Sequence, residues 1–201
     1  MIFRIAKKSD CTILAKIHFE CAKNQIDGFM HRLGIPFLIQ YYKIFVEEKH
    51  SLIILAEDNG RVLGFHSGTL LAEEHQAAVA GNKLKLGVAS IISVIMDPKL
   101  LEEILERYKS LKSSEDDFRV KNGPRGEYWA WLPKYKDAVN SLKLHKIWHS
   151  ILKDLGATFV RSEVDLSNKR VVQSIKLMGG IFINEITLAD GRRRAIVEYK
   201  L

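Results

Sequence analysis

Residues 127–180 constrain the fold of this chain more than any other stretch, because they spell a strand, a short polar loop, a helix, a second strand and a second helix in unbroken succession. Glu127-Tyr128-Trp129-Ala130-Trp131-Leu132 is an aromatic-rich run halted by Pro133, as a strand should be. The basic loop over 134–139 opens a helix whose apolar residues Leu144, Ile147, Trp148, Ile151, Leu152 and Leu155 recur at three- and four-residue steps, and Gly156 ends it. Phe159-Val160-Arg161-Ser162-Glu163-Val164 alternates as a strand. Residues 165–168 then supply polar caps for a helix that closes at Gly179-Gly180, where glycine readily takes the left-handed geometry of a helix end.

The rest of the chain leads up to that unit and closes after it. Residues 1–8 read as a first strand and lack the longer apolar core and cleavage site of a signal peptide. Ser9 or Asp10 caps a helix running to about Gln25, with Ile13, Leu14, Ile17 and Cys21 on one face. Residues 26–34 are loop-like and carry Phe29, Met30 and His31. Pro36 suits the first turn of a second helix, along which Phe37-Leu38, Tyr41-Tyr42 and Phe45-Val46 form one core-facing stripe. Leu52-Ile53-Ile54-Leu55-Ala56 and Val62-Leu63-Gly64-Phe65 flank Asp58-Asn59-Gly60 and predict a hairpin, because Asn-Gly accepts positive φ. Residues 71–125 hold two helices, 82–96 and 98–111, broken at Asp97-Pro98, and then the polar stretch 112–126. The first is apolar on most sides (Leu84, Leu86, Val88, Ile91, Ile92, Val94, Ile95), so a protein surface, a dimer partner or a membrane interface must cover it; residues 84–96 are too few to span a bilayer. Residues 181–188 and 194–201 form a last hairpin around Ala189-Asp190-Gly191. Arg192-Arg193-Arg194 at its turn reads either as a solvated cluster or as a binding site.

A chain of 201 residues with 47% hydrophobic content fills one core and is short for two, so 1–201 is read as one domain. The formal charge of +7 suits an acidic partner, whether a nucleotide phosphate, an acyl carrier protein, nucleic acid or anionic lipid, or else reflects an ordinary lysine excess. No nucleic-acid module is recognisable, and no nucleic-acid partner is expected. Cys11 and Cys21 lie ten residues apart in one helix, roughly 15 Å at about 1.5 Å per residue, and cannot bridge. A reducing, cytoplasmic setting is expected. His145 and His149 share a helix face, but no glutamate follows His145 as in H-E-x-x-H and no third ligand can be named; both are read as structural, and no metal is expected.

Pro133-Lys134-Tyr135, Gly156, Asn168-Lys169-Arg170-Val171 and Lys176-Leu177-Met178-Gly179-Gly180, in this order, resemble the cofactor half of the GNAT acyltransferase superfamily. There the strand ends in V-x-P-E-Y and is followed by Q/R-x-x-G-x-G/A and then N-x-x-A-x-x-x-Y-x-K-x-G-F. Val62, Gly64, Phe65 and Gly68 also resemble the family's V-x-G-F-x-x-G strand, and nearly the whole chain can be laid on its order of elements. The resemblance implies a mixed α/β fold whose central, mostly antiparallel sheet splays at one parallel strand pair, 127–132 beside 159–164. Helices flank it, with a helical insertion over about 71–125. It further implies N-acyl transfer from acetyl-CoA or another acyl-CoA to a small amine, with residues 26–34 bordering the acceptor. Insertions of similar character occur in GNAT-like proteins linked to bacterial surface-polysaccharide biosynthesis, which by analogy alone suggests an amino sugar.

Direct acyl transfer needs a general base, for which Glu127 in the strand before the loop is the first candidate and Glu163 on the neighbouring strand the second, the alternative being that either is simply an exposed strand residue. The resemblance implies that the backbone near Leu132 polarises the thioester carbonyl. The cofactor-binding set is Leu132, Lys136, Ala138, Val139, Asn140, Ser141 and Asn168. Two departures fall at the chemistry. Lys136, Asp137, Ala138, Val139, Asn140 and Ser141 replace the phosphate-loop glycines, so a left-handed residue there would cost roughly 1–2 kcal/mol. Ile175 stands where many members place the acid tyrosine, leaving Tyr135 or Ser174 as substitutes. Weak acetyl-CoA binding, an acyl carrier protein as donor, or a non-catalytic module holding an acidic ligand, a carrier protein or a membrane surface are the competing expectations.

Overall fold

The computed structural model describes residues 1–23, 29–113, 120–187 and 191–201. The chain runs β1 (Ile2–Ile5), α1 (Cys11–Ala22), α2 (Phe29–Arg32), α3 (Gly34–Glu47), β2 (Ser51–Asp58), β3 (Arg61–Thr69), α4 (Ala72–Gly81), α5 (Lys83–Met96), α6 (Lys99–Ser113), β4 (Arg125–Trp131), α7 (Ala138–Asp154), β5 (Phe159–Asp165), α8 (Lys169–Leu177), β6 (Ile181–Thr187) and β7 (Arg193–Lys200). These strands make one sheet ordered β1-β2-β3-β4-β5-β7-β6, antiparallel throughout except at β4–β5. This is the mixed α/β arrangement expected from the sequence.

Helices cover both faces of the sheet. On one, Leu14, Ile17, Leu38, Tyr42 and Phe45 of α1 and α3 pack on Ile53, Leu55, Phe65 and Ala130; on the other, Leu144, Trp148 and Leu152 of α7 and Ile175 of α8 pack on Ile54, Ala56, Val160 and Val197. Covering on both sides explains why β2 reads as a continuous apolar run, with no alternation. The β2–β3 turn pairs Asp58 with Arg61 across Asn59 and Gly60, whose φ of +48° and +75° are those of a two-residue hairpin turn. Helix α7 stops at Gly156, where φ is +93° and the N–H groups of Gly156 and Ala157 return to the carbonyls of Lys153 and Leu152. The same closure ends α8 at Gly179-Gly180.

Several expectations need correction. Asp10 does not cap α1 with its side chain; its carboxylate accepts the Lys7 N–H and pairs with Arg4 at 2.8 Å, while residues 8–10 form a 3-10 turn. Part of the 26–34 loop is the short helix α2, whereas the expected helix end at Gln25 and the turn residues Leu188, Ala189 and Asp190 lie outside the described residues. Three helices, not two, fill the insertion: α4 has weak sequence contrast, because only Ala72 and His75 of it are buried. Its available signals were alanine content and Glu73-Glu74 in the first turn, which favour the positive end of a helix dipole. The Asp97-Pro98 break stands as expected between α5 and α6.

Candidate functional site

The parallel pair β4–β5 is joined at only two positions, Arg125 to Arg161 and Gly126 to Ser162. Beyond them β4 stays paired with β3 as far as Trp131, and β5 stays paired with β7 as far as Asp165, so the two strands diverge towards their carboxyl ends. The wedge opens where α7 begins, the position at which open α/β sheets present ligands. On the α7 face the His145 ring lies between Trp129 of β4 and Tyr199 of β7, at 5.0 and 5.3 Å, with Tyr199 opposite Val160 at the joined end of the strand pair.

The β4 backbone supplies polar groups to this opening. The Leu132 N–H, expected to polarise a carbonyl, instead donates to the Leu63 carbonyl at 2.8 Å. Antiparallel pairing turns alternate residues towards the neighbour, so Leu132, Ala130 and Tyr128 face β3 while the amides of Trp129 and Trp131 face the missing part of β5. The Leu132 amide is therefore taken, and the amides that face the opening are those of Trp129 and Trp131. On the same side the Trp131 carbonyl accepts the Cys21 thiol at 3.3 Å, and burial pushes that thiol up to about 11, keeping it protonated.

Glu127 is the extra residue of a β-bulge, for Ser67 pairs with Tyr128 and Gly68 with Gly126. A bulge re-aims its side chain. Arg125, two residues back, shares the face of Glu127 by ordinary strand alternation, and its Nε lies 3.3 Å from Glu127 Oε1. Glu163 meets the same arginine from β5: Arg125 Nη2 lies 3.3 Å from its Oε1 and Arg194 Nη1 lies 3.3 Å from its Oε2, while the Val120 N–H donates at 3.2 Å. With 7% of its side chain exposed, Glu163 is committed to this network and is poorly placed as a base. Arg125, which sequence reasoning missed, is the centre of this network. Attraction to Glu127 and Glu163 raises its pKa against the opposing effect of burial. Arg194, read as part of a turn cluster, pairs instead with Glu163 and Asp165, and Arg193 pairs with Glu185.

The insertion reaches this network. Glu73 accepts the Gly123 N–H, the Gly123 carbonyl accepts the Ala72 N–H, and Gln76 donates to the Val120 carbonyl, which stitches α4 to the segment that contacts Glu163. Tyr41 of α3 and His75 of α4 are buried over Arg125 and Glu127. Burial first, then the Glu127 charge, raises the Tyr41 phenol well above its ordinary range, and burial first, then Arg125, lowers His75 to about 4.

At the wide end of the wedge the missing glycines carry no strain. Asn59 is the only non-glycine with positive φ among the described residues, so the feared left-handed penalty is not incurred. A tight turn closed by Tyr135 N–H to the Leu132 carbonyl at 3.0 Å, with Pro133 at its second position, leads into α7 without it. The obstacle is electrostatic. Asp137 caps α7: its Oδ1 accepts the Asn140 N–H at 2.9 Å and its Oδ2 the Asn140 side-chain amide at 2.6 Å. Those bonds hold its carboxyl below the usual carboxylate range. The Ser141 N–H bonds the Asp137 carbonyl at 3.0 Å and the Val139 N–H also turns to the Asp137 carboxylate, so of the four expected phosphate donors Val139, Asn140 and Ser141 are taken and Ala138 remains at the first turn. A carboxylate thus sits at the start of α7, where the sequence reading expects a diphosphate, while Lys134 and Lys136 are exposed beside it. Asn168 caps α8, accepting the Val171 N–H at 3.3 Å. Ile175 is buried in the core and has no proton to give, and the Tyr135 hydroxyl accepts from Arg61.

His145 and His149 are joined by His66 of β3, a partner beyond the strand end read from sequence. The His66 and His145 rings stack at 4.8 Å and His145 meets His149 at 4.0 Å. Burial above all, then neighbouring histidines, pushes His66 well below the usual range and His145 down to about 2; burial lowers His149 to about 4. No group of three or more His, Cys, Asp or Glu among the described residues is arranged to hold a metal.

No protein-family model and no curated protein sequence matches this chain. Solved structures do. An N-acetyltransferase from Staphylococcus aureus Mu50 superposes with a TM-score of 0.64 at 14% identity, covering 99% of this chain and 97% of that one. The ribosomal-protein-alanine N-acetyltransferase of Brucella melitensis gives 0.63 at 10% identity with both chains fully covered. The yncA structure from Salmonella typhimurium, solved with its cofactor acetyl-CoA, gives 0.61 at 13% identity over 100% of this chain and 94% of that one. The chain has the fold of the GNAT acetyltransferases.

Proposed function

We propose that this GNAT-fold chain is an N-acyltransferase that moves an acyl group from a pantetheine thioester, acetyl-CoA in the first instance, to a small amine such as an amino sugar. The observation that carries this reading is the two-residue β4–β5 pairing, which leaves a wedge edged by the Trp129 and Trp131 amides with Glu127 on a bulge beside it. Amides aimed at a developing oxyanion are effective because they are fixed before reaction and work away from water. Glu127, re-aimed by the bulge, takes the proton of the attacking amine, and Arg125 fixes where that carboxylate stands. The buried α7 face, with Trp129, His145 and Tyr199, supplies apolar walls for a pantetheine arm.

The fit to the nucleotide end is poorer. Asp137 at the α7 terminus opposes a diphosphate, so the acyl-pantetheine arm contributes most of the grip on the donor. That favours a second reading, in which the acyl group arrives on an acidic carrier protein, whose pantetheine arm carries no diphosphate; the net charge of +7 suits such a partner. A non-catalytic binding module is the third outcome. The test is thiol release in the presence of a panel of amines, amino sugars included, with acetyl-CoA and acetyl-pantetheine compared as donors. Amine-dependent thiol release that falls at least tenfold in Glu127→Gln, with the thermal midpoint kept, supports the transferase. Absence of both turnover and ligand protection against heat with either donor refutes it.

A further inference from the structure

Helix α5 is held to the body by one face only. Leu86 and Ser90 are buried, the Ser93 hydroxyl donates to the Leu33 carbonyl at 3.0 Å, and Arg32 ties the end of α5 to α6 by bridging Asp97 and Glu103. The outer face is apolar and bare: Leu84 is 82% exposed, Val88 68%, Ile92 66%, Ile95 72% and Met96 82%, with Ile91 half exposed and Leu101 and Leu105 of α6 beside them. Together they offer on the order of 800 Å², the area each partner contributes to a standard protein interface. A patch of this size is larger than scattered surface leucines explain.

Three occupants compete: another segment of these 201 residues, a lipid surface, or a second copy. The short segments outside the described residues, 24–28, 114–119 and 188–190, are largely polar and small beside this area. No single described helix is long and apolar enough to cross a membrane; α4 and α5 pass that test together but are bent by 64°, and Ala72 and His75 hold α4 in the body. Lying on an anionic bilayer calls for a basic rim, because carboxylates at the surface oppose the lipid charge. This rim is mixed in sign: Lys83 and Lys85 stand at the start of α5, whereas Glu102 and Glu106 are exposed beside Leu101 and Leu105. Mixed sign is what a self-complementary surface needs. Leu84, Val88, Ile91 and Ile95 also follow steps of four, three and four, the seam of a two-helix pack.

The geometry points to an isologous homodimer in which the outer faces of α5 pack antiparallel about a two-fold axis near Ile91 and Ile92. In that arrangement Lys83 and Lys85 of each copy meet the partner's acidic end, past Asp97, at Glu102. Each copy buries the bare stripe of the other, and the pairing closes on itself. It leaves the wedge and Glu127 in each copy outside the contact, so the inference stands or falls independently of the transferase reading.

Sedimentation velocity and light scattering on the full chain at physiological salt test it. The expected species is twice the 23.0 kDa monomer at about 100 µM and below. Val88→Glu and Ile92→Glu should weaken association at least tenfold while leaving far-UV circular dichroism and the thermal midpoint in place, since both side chains point away from the core. Lys85→Glu should weaken it and the added Glu102→Lys restore it. A wild-type monomer up to about 100 µM overturns the inference. So does a monomer that co-sediments with phosphatidylglycerol vesicles in a salt-sensitive manner, which assigns the face to lipid. Dimers that survive Val88→Glu and Ile92→Glu together place the contact elsewhere and overturn it as well.

Discussion

Replacing Glu163 by glutamine separates a structural carboxylate from a catalytic one. Its two oxygens lie 3.3 Å from Arg125 and Arg194, one of them also accepts the Val120 N–H at 3.2 Å, and 7% of the side chain is exposed. Glutamine keeps the size and one acceptor oxygen, but it removes the charge and turns an amide donor towards a guanidinium. Breaking a buried pair from one side costs about 3–5 kcal/mol, because the remaining charge stays buried without compensation. Arg125 retains Glu127, and Arg194 retains Asp165 at 3.1 Å, so the expected loss is smaller, roughly 2–3 kcal/mol. For a chain of this length that is a fall in Tm of roughly 5–10 °C. Urea denaturation followed by circular dichroism measures it, and an unchanged m-value shows that the comparison is of stability alone. A loss below about 1 kcal/mol refutes the burial argument and returns Glu163 to the list of candidate bases. Glu127→Gln is the matched control: turnover falls at least tenfold, with stability within about 1 kcal/mol of the parent, because one ion pair is lost and the bulge is unchanged.

Asp137→Ser keeps an N-cap side chain at α7 and removes the carboxylate from the diphosphate position; calorimetry should show acetyl-CoA binding about tenfold tighter, and unchanged affinity would mean that Asp137 does not limit the donor. Stability should fall in acid. His145 and His149 are held at about 2 and about 4, below the value near 6.5 of an unfolded chain, so the unfolded state takes up more protons as pH drops. Their contribution is complete above about pH 6.5 and is lost progressively below it, down to about pH 4 for His149 and about pH 2 for His145; a thermal midpoint flat between about pH 6.5 and 4 would contradict their burial as neutral rings. At Gly68 an added Cβ would meet Trp148 Cζ2 at 2.2 Å and the Arg125 carbonyl oxygen at 2.4 Å, so Gly68→Ala should cost about 3 kcal/mol in urea denaturation, and wild-type stability would show that the β3–α7 contact is looser than described.

Where backbone chemistry is local, the sequence reads correctly. Asn59-Gly60 announces its hairpin, Asp97-Pro98 its helix break, and Gly156 and Gly179 their helix ends, because each depends on the φ that one residue permits. Ile175, which lacks the family tyrosine's hydroxyl, is accordingly a core residue. Elements whose signal is faint or cancelled are missed: α4 buries so little of itself that no periodicity marks it. The Leu132 amide faces β3 and not the opening, which its place in the sequence does not reveal, since strand polarity alternates and the register on β3 decides which amides face the opening.

Residue order alone determined the succession of strands and helices, the aromatic strand at the wedge and the glycine-marked ends, all of which follow from side-chain period and local dihedral preference. Tertiary structure decided the rest. The bulge that re-aims Glu127 exists only against Ser67 and Gly68, and Arg125 becomes a shared partner only once β5 delivers Glu163 and β7 delivers Arg194. Asp137 passes from a loop residue to the occupant of the helix terminus once α7 starts at Ala138. Each of these depends on a pairing register or a distance between segments far apart in the chain, and charge interactions fall or rise with that distance and with burial, neither of which a linear spacing contains.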